Sequence, residues 1–414
     1  MNAPAPTAVD IAIVGGGLVG ASLALSLGGT GKRVVLIEAV EVNAAAQPSF
    51  DDRTSALGNG SRGIFETLGV WPHLAAHAGA VREIRVSEAG RAGAALLSAA
   101  EQGLEALGYV VSNRHIGAAL WKQIAARPEL LIRCPARVSA VQLAADAVGL
   151  EVRAQGGESA GPARIEQIRA RLVVAADGAH SLVRTAAGIA AQVEDYRQVA
   201  LVVHLKAERP SAGIAYERFT ATGPLAVLPL ADGRYTVVWT LSPDRASAIL
   251  ALDDASFIAE LQGSFGWRIG RIQHVGKRAG YPLQLSRAES LVGQRAVLVG
   301  NAAQALHPVA GQGFNLGLRD AALLAEMVGV APDPGAPAVL EEFERRRAGD
   351  RRGMIGFTDG LIKLFASDRP VAVAARALGL QLFDLAPGAK RALSRLSWGF
   401  GDETPRLMRG LPVA

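Results

Sequence analysis

Three glycines in one short turn are the first residues of the chain whose spacing points to chemistry. Gly15, Gly17 and Gly20 form a G-x-G-x-x-G pattern. The first glycine allows a tight turn, the second lets the backbone approach a pyrophosphate, and the third permits close packing of a helix against a strand. A helix that begins here directs free N–H groups and a positive dipole end at phosphate. The pattern predicts a dinucleotide site, and it does not distinguish FAD from NAD.

The residues around this turn predict the elements that position it. Residues 10–14 and 32–37 predict two buried strands, and residues 21–27 between them predict a helix, which together make a βαβ unit. Glu38 ends the second strand, where a carboxylate can accept a hydrogen bond from the adenosine ribose and would repel a 2′-phosphate. Residues 11–31 carry no charge and are long enough to cross a bilayer. The three consecutive glycines nevertheless favour strand, turn and helix over a membrane span.

Two later turns also join an apolar strand to a helix. Asp177 and Gly178 directly follow the strand predicted at 171–176, which favours a ligand-binding turn, with a plain helix N-cap as the alternative. The stretch 300–317 has the same placement, and its Gly311 and Gly313 would let backbone N–H groups approach a ligand. A helix N-terminus there would stabilise negative charge on a reduced cofactor.

Composition narrows the class of protein. A chain of 414 residues with 50% apolar and 20% charged residues is not a disordered chain. The single cysteine, Cys134, excludes a disulfide framework and a thiolate metal cluster, so we predict a cytoplasmic protein without a metal site. The net charge is +5, but acidic residues are interspersed with basic ones, which argues against nucleic acid as a partner. The densest basic cluster predicts a solvated helix face or, alternatively, a membrane or partner contact, and consists of arginines 345–347, 351 and 352.

The three turns, in this order and spacing, resemble those of the FAD-dependent aromatic hydroxylases of the para-hydroxybenzoate hydroxylase type. Within that family the chain is most similar to the ubiquinone-biosynthesis hydroxylases, through the DDRTSAL run at 51–57 and the stretch 307–320. The branch of the 2-polyprenyl-6-methoxyphenol hydroxylases is especially similar at 217–220, 223–226, 265–268 and 300–304. The resemblance covers nearly the whole chain.

The resemblance implies a fold and an order of domains. The expected class is α/β, with a Rossmann-like FAD-binding domain, an inserted antiparallel-sheet substrate domain and a helical C-terminal region. The strands predicted between 199 and 241 would belong to the inserted sheet. The implied boundaries are 1–75, 101–185 and 281–335 for the FAD-binding parts, 76–100 and 186–280 for the substrate domain, and 336–414 for the C-terminal helices.

The resemblance also implies a reaction. In this family NAD(P)H reduces the flavin, O2 converts it to a C4a-hydroperoxide, and one oxygen passes to a phenol ring. The expected substrate is a hydrophobic polyprenylated methoxyphenol. Expected partners are other ubiquinone-biosynthesis proteins and, peripherally, the inner face of the membrane. The alternatives are a flavin hydroxylase of another aromatic compound and a low-turnover flavin-binding scaffold of a biosynthetic complex.

Carried over residue by residue, the resemblance implies most of the FAD site. Arg53 would lie beside the flavin and pyrophosphate, and either Asn113 or Arg114 would touch the cofactor. Asn301 stands where most relatives have Asp, and its amide can still accept a hydrogen bond from a ribityl hydroxyl. The other expected cofactor-binding residues are Gly15, Gly17, Gly20 and Glu38 for the ADP half, Asp177 and Gly178 for FAD and NAD(P)H, and Pro308, Gly311, Gln312 and Gly313 for the isoalloxazine ring.

The expected catalytic residues are fewer. Pro308 would line the flavin ring, and His307 beside it is the candidate for a direct role. A base near the substrate hydroxyl would make the ring more electron-rich, and the sequence does not identify that base. Weaker candidates, each more often structural than catalytic, are His204, Tyr216 and Tyr235.

Overall fold

The computed structural model of the chain describes residues 5–42, 51–91, 94–154, 165–307, 311–366, 379, 381–400 and 404–413. The expected site residue Pro308 lies outside the described residues. The strands are β1 Thr7–Val14, β2 Val34–Ile37, β3 Thr54–Gly58, β4 Gly79–Val81, β5 Glu83–Glu88, β6 Ala94–Ser98, β7 Gly108–Ser112, β8 Leu130–Arg133, β9 Ala136–Leu143, β10 Val148–Ala154, β11 Ile165–Ala175, β12 Ala191–Ala207, β13 Ile214–Thr220, β14 Gly223–Pro229, β15 Tyr235–Leu241, β16 Ile272–Val275, β17 Ala279–Ala288, β18 Val292–Gly293, β19 Ala296–Leu298 and β20 Gln304–Ala305. The helices are α1 Leu18–Leu27, α2 Asn59–Thr67, α3 Asn113–Ala125, α4 Leu182–Ala186, α5 Pro243–Leu250, α6 Asp254–Phe265, α7 Gln312–Val330, α8 Pro337–Ala366 and α9 Pro387–Trp398.

The first sheet has a parallel core in the order β19-β11-β1-β2-β8. Its strands are continuous apolar runs, and all four residues of β2 are buried, as expected for parallel strands covered on both faces. The uncharged stretch 11–31 holds the second half of β1 and all of α1, so the predicted strand, turn and helix are confirmed. Among the described residues, no helix combines the length and apolarity needed to cross a bilayer.

The second sheet is mostly antiparallel and has the order β20-β17-β12-β15-β14-β13-β5-β6. Strands β12 to β15 confirm the four strands expected between 199 and 241, and they pair antiparallel. The parallel pairing of β13 with β5 joins a segment from earlier in the chain to this sheet. In sequence, β12 to β17 fall between β11 and β19 of the first sheet, which confirms the predicted fold class.

Buried ion pairs join α7 to α8. Arg347 Nε lies 2.6 Å from Asp320 Oδ1, and Arg347 Nη1 lies 2.8 Å from Asp350 Oδ2. Arg319 Nε contacts the same Asp350 oxygen at 2.9 Å, and the side chains of Arg319 and Arg347 are at most 4% exposed. Burial alone would raise the pKa of Asp350, but Arg319 and Arg347 hold it below its usual value. The prediction of a solvated arginine face is therefore wrong for Arg347, which is turned into the protein because its acidic partners are buried there.

Replacing Arg347 with methionine would leave buried Asp320 and partly buried Asp350 each short of a partner. We expect Arg347→Met to lower the free energy of unfolding by about 3 kcal/mol, the lower end of the range for breaking a buried ion pair. Arg245→Met is the control, because Arg245 and Glu260 are both more than two-fifths exposed, and an exposed pair contributes about 0–1 kcal/mol. Denaturant unfolding of both variants measures the difference, and equal losses would contradict the importance of the buried pairs.

Candidate functional site

One cleft of about 1380 Å³ brings the three predicted turns together. Its walls come from both large sheets, from β3 and from helices α8 and α9. Gly20 and Arg114 do not line it. The expected site residues that do line it are Gly15, Gly17, Glu38, Arg53, Asn113, Asp177, Gly178, Asn301, His307, Gly311, Gln312 and Gly313.

The first turn depends on close backbone contact between β1, α1 and the end of β11. Gly15 has φ +102°, and a Cβ added there would lie 2.4 Å from the carbonyl oxygen of Ala176. A Cβ added at Gly20 would lie 1.9 Å from the carbonyl oxygen of Gly15, so Gly20 acts by permitting this packing. Gly17 is the N-cap of α1 and supplies no side-chain hydrogen bond. The first N–H groups of α1 are thus presented at the cleft, which suits a phosphate.

Glu38 closes the other side of this turn. Its Oε2 accepts a hydrogen bond from the backbone N–H of Gly16 at 2.6 Å, and its Oε1 accepts one from Val40 at 2.8 Å. Trp121 Nε1, on α3, donates a hydrogen bond to the carbonyl oxygen of Gly16 at 3.1 Å and so fixes the other side of the Gly16 peptide. The carboxylate is therefore fixed in position at the end of β2 and is 7% exposed.

Asp177 follows β11 and has two distinct carboxylate oxygens. Oδ2 accepts a hydrogen bond from the backbone N–H of Leu182 at 2.9 Å, so Asp177 does help to begin α4. Oδ1 is buried and has no hydrogen-bond partner among the described residues, and burial raises the pKa of this carboxyl. Gly178 has φ +87° and open space where a side chain would be. An unsatisfied buried acceptor beside open space fits a ligand that carries hydroxyl groups.

The third turn is held by a side chain that sequence reasoning did not single out. Asn315 is 1% exposed, and its Nδ2 donates to the carbonyl oxygens of Ala56 at 2.7 Å and Gly311 at 2.8 Å. Its Oδ1 accepts from the backbone N–H of Gly58 at 2.9 Å and from Ser61 Oγ at 2.7 Å. Asn315 thereby fastens β3 to the N-terminus of α7. The one sign of this role in the sequence is an amide side chain in the first turn of a predicted helix.

Gly311 makes that contact possible. It has φ +61° at the N-cap of α7, a conformation that favours glycine. A Cβ added there would lie 2.8 Å from the Cβ of Ala56. The N-terminus of α7 therefore faces the cleft without a capping side chain.

Arg53 and Asn113 form part of the wall next to β3. Arg53 Nε lies 2.6 Å from Asp51 Oδ2, and its guanidinium carbon is 4.7 Å from the centre of the Tyr281 ring. Asn113 Oδ1 accepts a hydrogen bond from Ser55 Oγ at 2.8 Å. Arg114 instead pairs with Asp52 at 3.1 Å on the surface. Of the two alternatives at the start of α3, the structure places Asn113 at the cleft.

His307 and Asn301 lie on the segment that leads to α7. His307 is 1% exposed, and burial lowers its pKa to about 4, so the imidazole is neutral near pH 7. Its ring meets the Tyr196 ring edge-on, with centroids 5.4 Å apart. Asn301 lies in the short 3₁₀ turn Gly300–Ala302 and is exposed at the cleft.

Glu217 is a second residue that sequence reasoning missed. It lies on β13 and lines the cleft, and its Oε1 is buried without a hydrogen-bond partner among the described residues. Burial raises the pKa of this carboxyl to about 7. The sequence contains one sign of this role, an acidic side chain that alternates with Ala215 and Phe219 along a partly apolar strand.

Comparison with known proteins gives consistent results. The FAD binding domain family model matches residues 8–356. The chain is 38% identical to Ubiquinone hydroxylase UbiL of Rhodospirillum rubrum, over 98% of this chain and 93% of the relative. It is 34% identical to 3-demethoxyubiquinol 3-hydroxylase of Escherichia coli, over 94% of this chain and 98% of the relative. The solved p-nitrophenol 4-monooxygenase PnpA from Pseudomonas putida DLL-E4 has a TM-score of 0.78 at 20% identity, covers 96% of this chain and all of that one, and is similar in fold.

Asp177 offers a direct test of the cofactor end of the cleft. We expect Asp177→Ala to weaken FAD binding by about 10- to 100-fold, because a hydrogen bond to a charged group contributes about 1.5–3 kcal/mol. Asp177→Asn should lose less, since the amide oxygen keeps one acceptor. Fluorescence titration of the apoprotein with FAD measures the dissociation constant.

The control is Asp146→Ala, since Asp146 is 74% exposed and does not line the cleft. Unchanged FAD affinity in Asp177→Ala, with circular dichroism like that of the parent, would contradict a role for Asp177 at the cofactor.

Proposed function

Because the chain belongs to the family of FAD-dependent ubiquinone-biosynthesis hydroxylases, we propose that it hydroxylates the ring of a polyprenylated phenol. NAD(P)H supplies two electrons, one atom of O2 enters the ring, and the other leaves as water. The observation that carries the substrate class is the lining of the cleft, which combines the three polar turns with an apolar cluster of side chains.

The residues at the polar end fit FAD. The uncapped start of α1 and the carboxylate of Glu38 suit the pyrophosphate and ribose of its ADP half. The free acceptor of Asp177 suits a hydroxyl of the cofactor, with Asn301 beside it on the neighbouring turn. When bound, FAD supplies hydride acceptance from NAD(P)H and activation of O2.

Other residues would orient the flavin. The start of α7, at Gly311, Gln312 and Gly313, presents backbone N–H groups and a positive dipole end that would stabilise a negatively charged reduced ring. Arg53 and Asn113 would contact the cofactor from the side of β3. Neutral His307 would border the ring without adding charge.

An apolar part of the cleft supports a prenyl tail. An apolar cluster there joins Leu97 and Leu107 to side chains of the C-terminal region, among them Phe383, Leu393 and Trp398. All five of these residues line the cleft. Burying a prenyl chain against such a surface contributes about 25 cal/mol per Å² of apolar area removed from water. A polyprenylated phenol could then bind with its ring at the flavin and its tail in this cluster.

Exposed leucines lie on the same C-terminal region. Leu364, Leu382 and Leu385 are 45%, 58% and 79% exposed. An apolar surface beside the tail-binding end supports peripheral contact with a membrane, from which a polyprenylated substrate would enter. Contact with other ubiquinone-biosynthesis proteins stays a prediction.

Turnover by the purified protein tests the proposal. We expect a yellow protein with a flavin spectrum, whose oxidation of NAD(P)H is stimulated by a polyprenylated phenol and yields a product with one added oxygen atom. NAD(P)H consumption that forms only hydrogen peroxide would support the low-turnover scaffold instead. Equal turnover of a phenol without a prenyl tail would support a hydroxylase of another aromatic substrate.

A charge placed in the apolar cluster should separate substrates by tail length. We expect Leu393→Arg to lower kcat/KM for a long-tailed phenol by at least about 10-fold, because burying a charge among apolar groups is unfavourable. A short-tailed analogue, which does not reach the cluster, should be affected less than about twofold by the same reasoning.

The matched control is Leu411→Arg, since Leu411 is 42% exposed and does not line the cleft. Equal losses for long and short tails in Leu393→Arg would contradict a tail site at this cluster.

A further inference from the structure

The inner face of the large antiparallel sheet carries one carboxylate in an apolar setting. Strand β13 contributes Ala215, Glu217 and Phe219 to the lining of the cleft, together with part of Tyr216. Its intervening residues make contacts on the opposite face, where the ring of Tyr216 meets that of Phe265 edge-on at 5.4 Å and Arg218 Nε donates to the Ser264 carbonyl oxygen at 3.1 Å. Glu217 is thus placed at the cleft by the alternation of the strand.

The neighbours of Glu217 across the sheet are apolar. In the strand register, Glu217 lies beside Val86 of β5 and Ala226 of β14. One strand further out on each side come Ala95 of β6 and Val238 of β15. All four residues line the cleft. A row across five strands therefore contains a single polar side chain at its centre.

Glu217 also lacks a compensating charge. Its Oε1 has no solvent contact and no hydrogen-bond partner, and within the described ranges Glu217 forms no ion pair. Glu88, which follows on β5, is paired with Arg91 at 3.1 Å. A buried carboxylate without a hydrogen-bond partner is unfavourable. We therefore expect a ligand in the cleft to supply the hydrogen bond that Glu217 lacks.

We propose that Glu217 is a catalytic residue that accepts the proton of the substrate phenol during ring hydroxylation. This inference rests on the proposed function, since it requires a phenol in the cleft. The O–H bond of the phenol breaks, a new O–H bond forms on a carboxylate oxygen of Glu217, and the electron pair stays on the phenolate oxygen. The phenolate is more electron-rich and reacts more readily with an electrophilic oxygen. The attacked ring carbon then releases its proton to solvent, the electron pair of that C–H bond restores the aromatic ring, and Glu217 returns the stored proton to the product oxygen.

The electrostatic environment suits this transfer. Burial raises the pKa of Glu217 to about 7, which brings it closer to that of a phenol, about 10, than an ordinary glutamate at about 4.3 would be. The other titratable groups that line the cleft are Glu38, Arg53, Tyr109, Arg137, Asp177, His180, Tyr216 and His307. His204 lies on β12 of the same sheet. Burial lowers the pKa of His204 and takes that of His307 to about 4, so both are neutral near pH 7. Because other titratable groups line the cleft, a change in activity near pH 7 is assigned to Glu217 by its loss in Glu217→Gln.

The pH profile of the full-length holoenzyme tests the role. The ionised form of Glu217 is the base, so kcat/KM of the parent should rise as pH increases through about 7 and then level off. We expect Glu217→Gln to lower kcat/KM by at least about 100-fold, a typical contribution of general base catalysis, and to abolish this rise. Glu217→Asp should recover part of the rate together with the rise.

Two measurements separate a catalytic role from a structural one. FAD content and the circular dichroism spectrum of Glu217→Gln should match those of the parent, which shows that the variant folds and holds the cofactor. Glu88→Gln is the matched control in the same sheet, and its pH profile should keep the rise near pH 7. If the parent hydroxylates the phenol and Glu217→Gln keeps both the rate and the rise near pH 7, the role of Glu217 is overturned while the proposed function stands. If the parent hydroxylates no polyprenylated phenol, the proposed function itself fails.

Discussion

The buried ion pairs between α7 and α8 are the interaction on which the shape of the cleft depends. Asp320 accepts from Arg347 on one oxygen and from Gln304 Nε2, at 2.7 Å, on the other. Arg351 Nε in turn donates to Gln304 Oε1 at 3.0 Å. The pairs thus reach from α8 to the segment that carries His307 and enters α7. Because these charges are stable in the interior only when paired, the helix that lines the substrate end of the cleft is coupled to the turn at its cofactor end.

The cleft separates two kinds of chemistry along its length. At the polar end, backbone N–H groups and fixed acceptors such as Glu38 and Asp177 match a charged, hydroxyl-rich cofactor. In its apolar part, Leu97 and Leu393 belong to a hydrophobic cluster that suits a prenyl chain. Glu217 lies on the sheet that floors the cleft, where an apolar wall makes a carboxylate a better base than it is in water. The same exclusion of water that makes this residue basic also suits oxygen transfer to the ring.

The parts of the site predicted from the sequence are those set by local geometry. A close backbone contact or a positive φ excludes a side chain at Gly15, Gly20 and Gly311. This requirement is visible in the sequence because only glycine meets it, and the glycines occur at fixed spacing. The fold class was predictable for the same reason, since apolar strands alternate with those turns. The burial of Arg347 could not be predicted, because it depends on an ion pair with an acidic residue of another helix, Asp320 of α7. Glu217 was missed because its importance arises from Val86 and Ala226 on neighbouring strands, and pairing between strands is not local information.

Oxygen transfer with isotopically labelled O2 tests the central claim most directly. The purified protein is supplied with FAD, NAD(P)H, a polyprenylated phenol and ¹⁸O-labelled O2 in ordinary water, and the product is analysed by mass spectrometry. The account predicts one labelled oxygen atom on the ring for each molecule of product, with no oxygen from water. A product whose newly added oxygen atom is unlabelled, or labelled hydrogen peroxide without any hydroxylated ring, would contradict it.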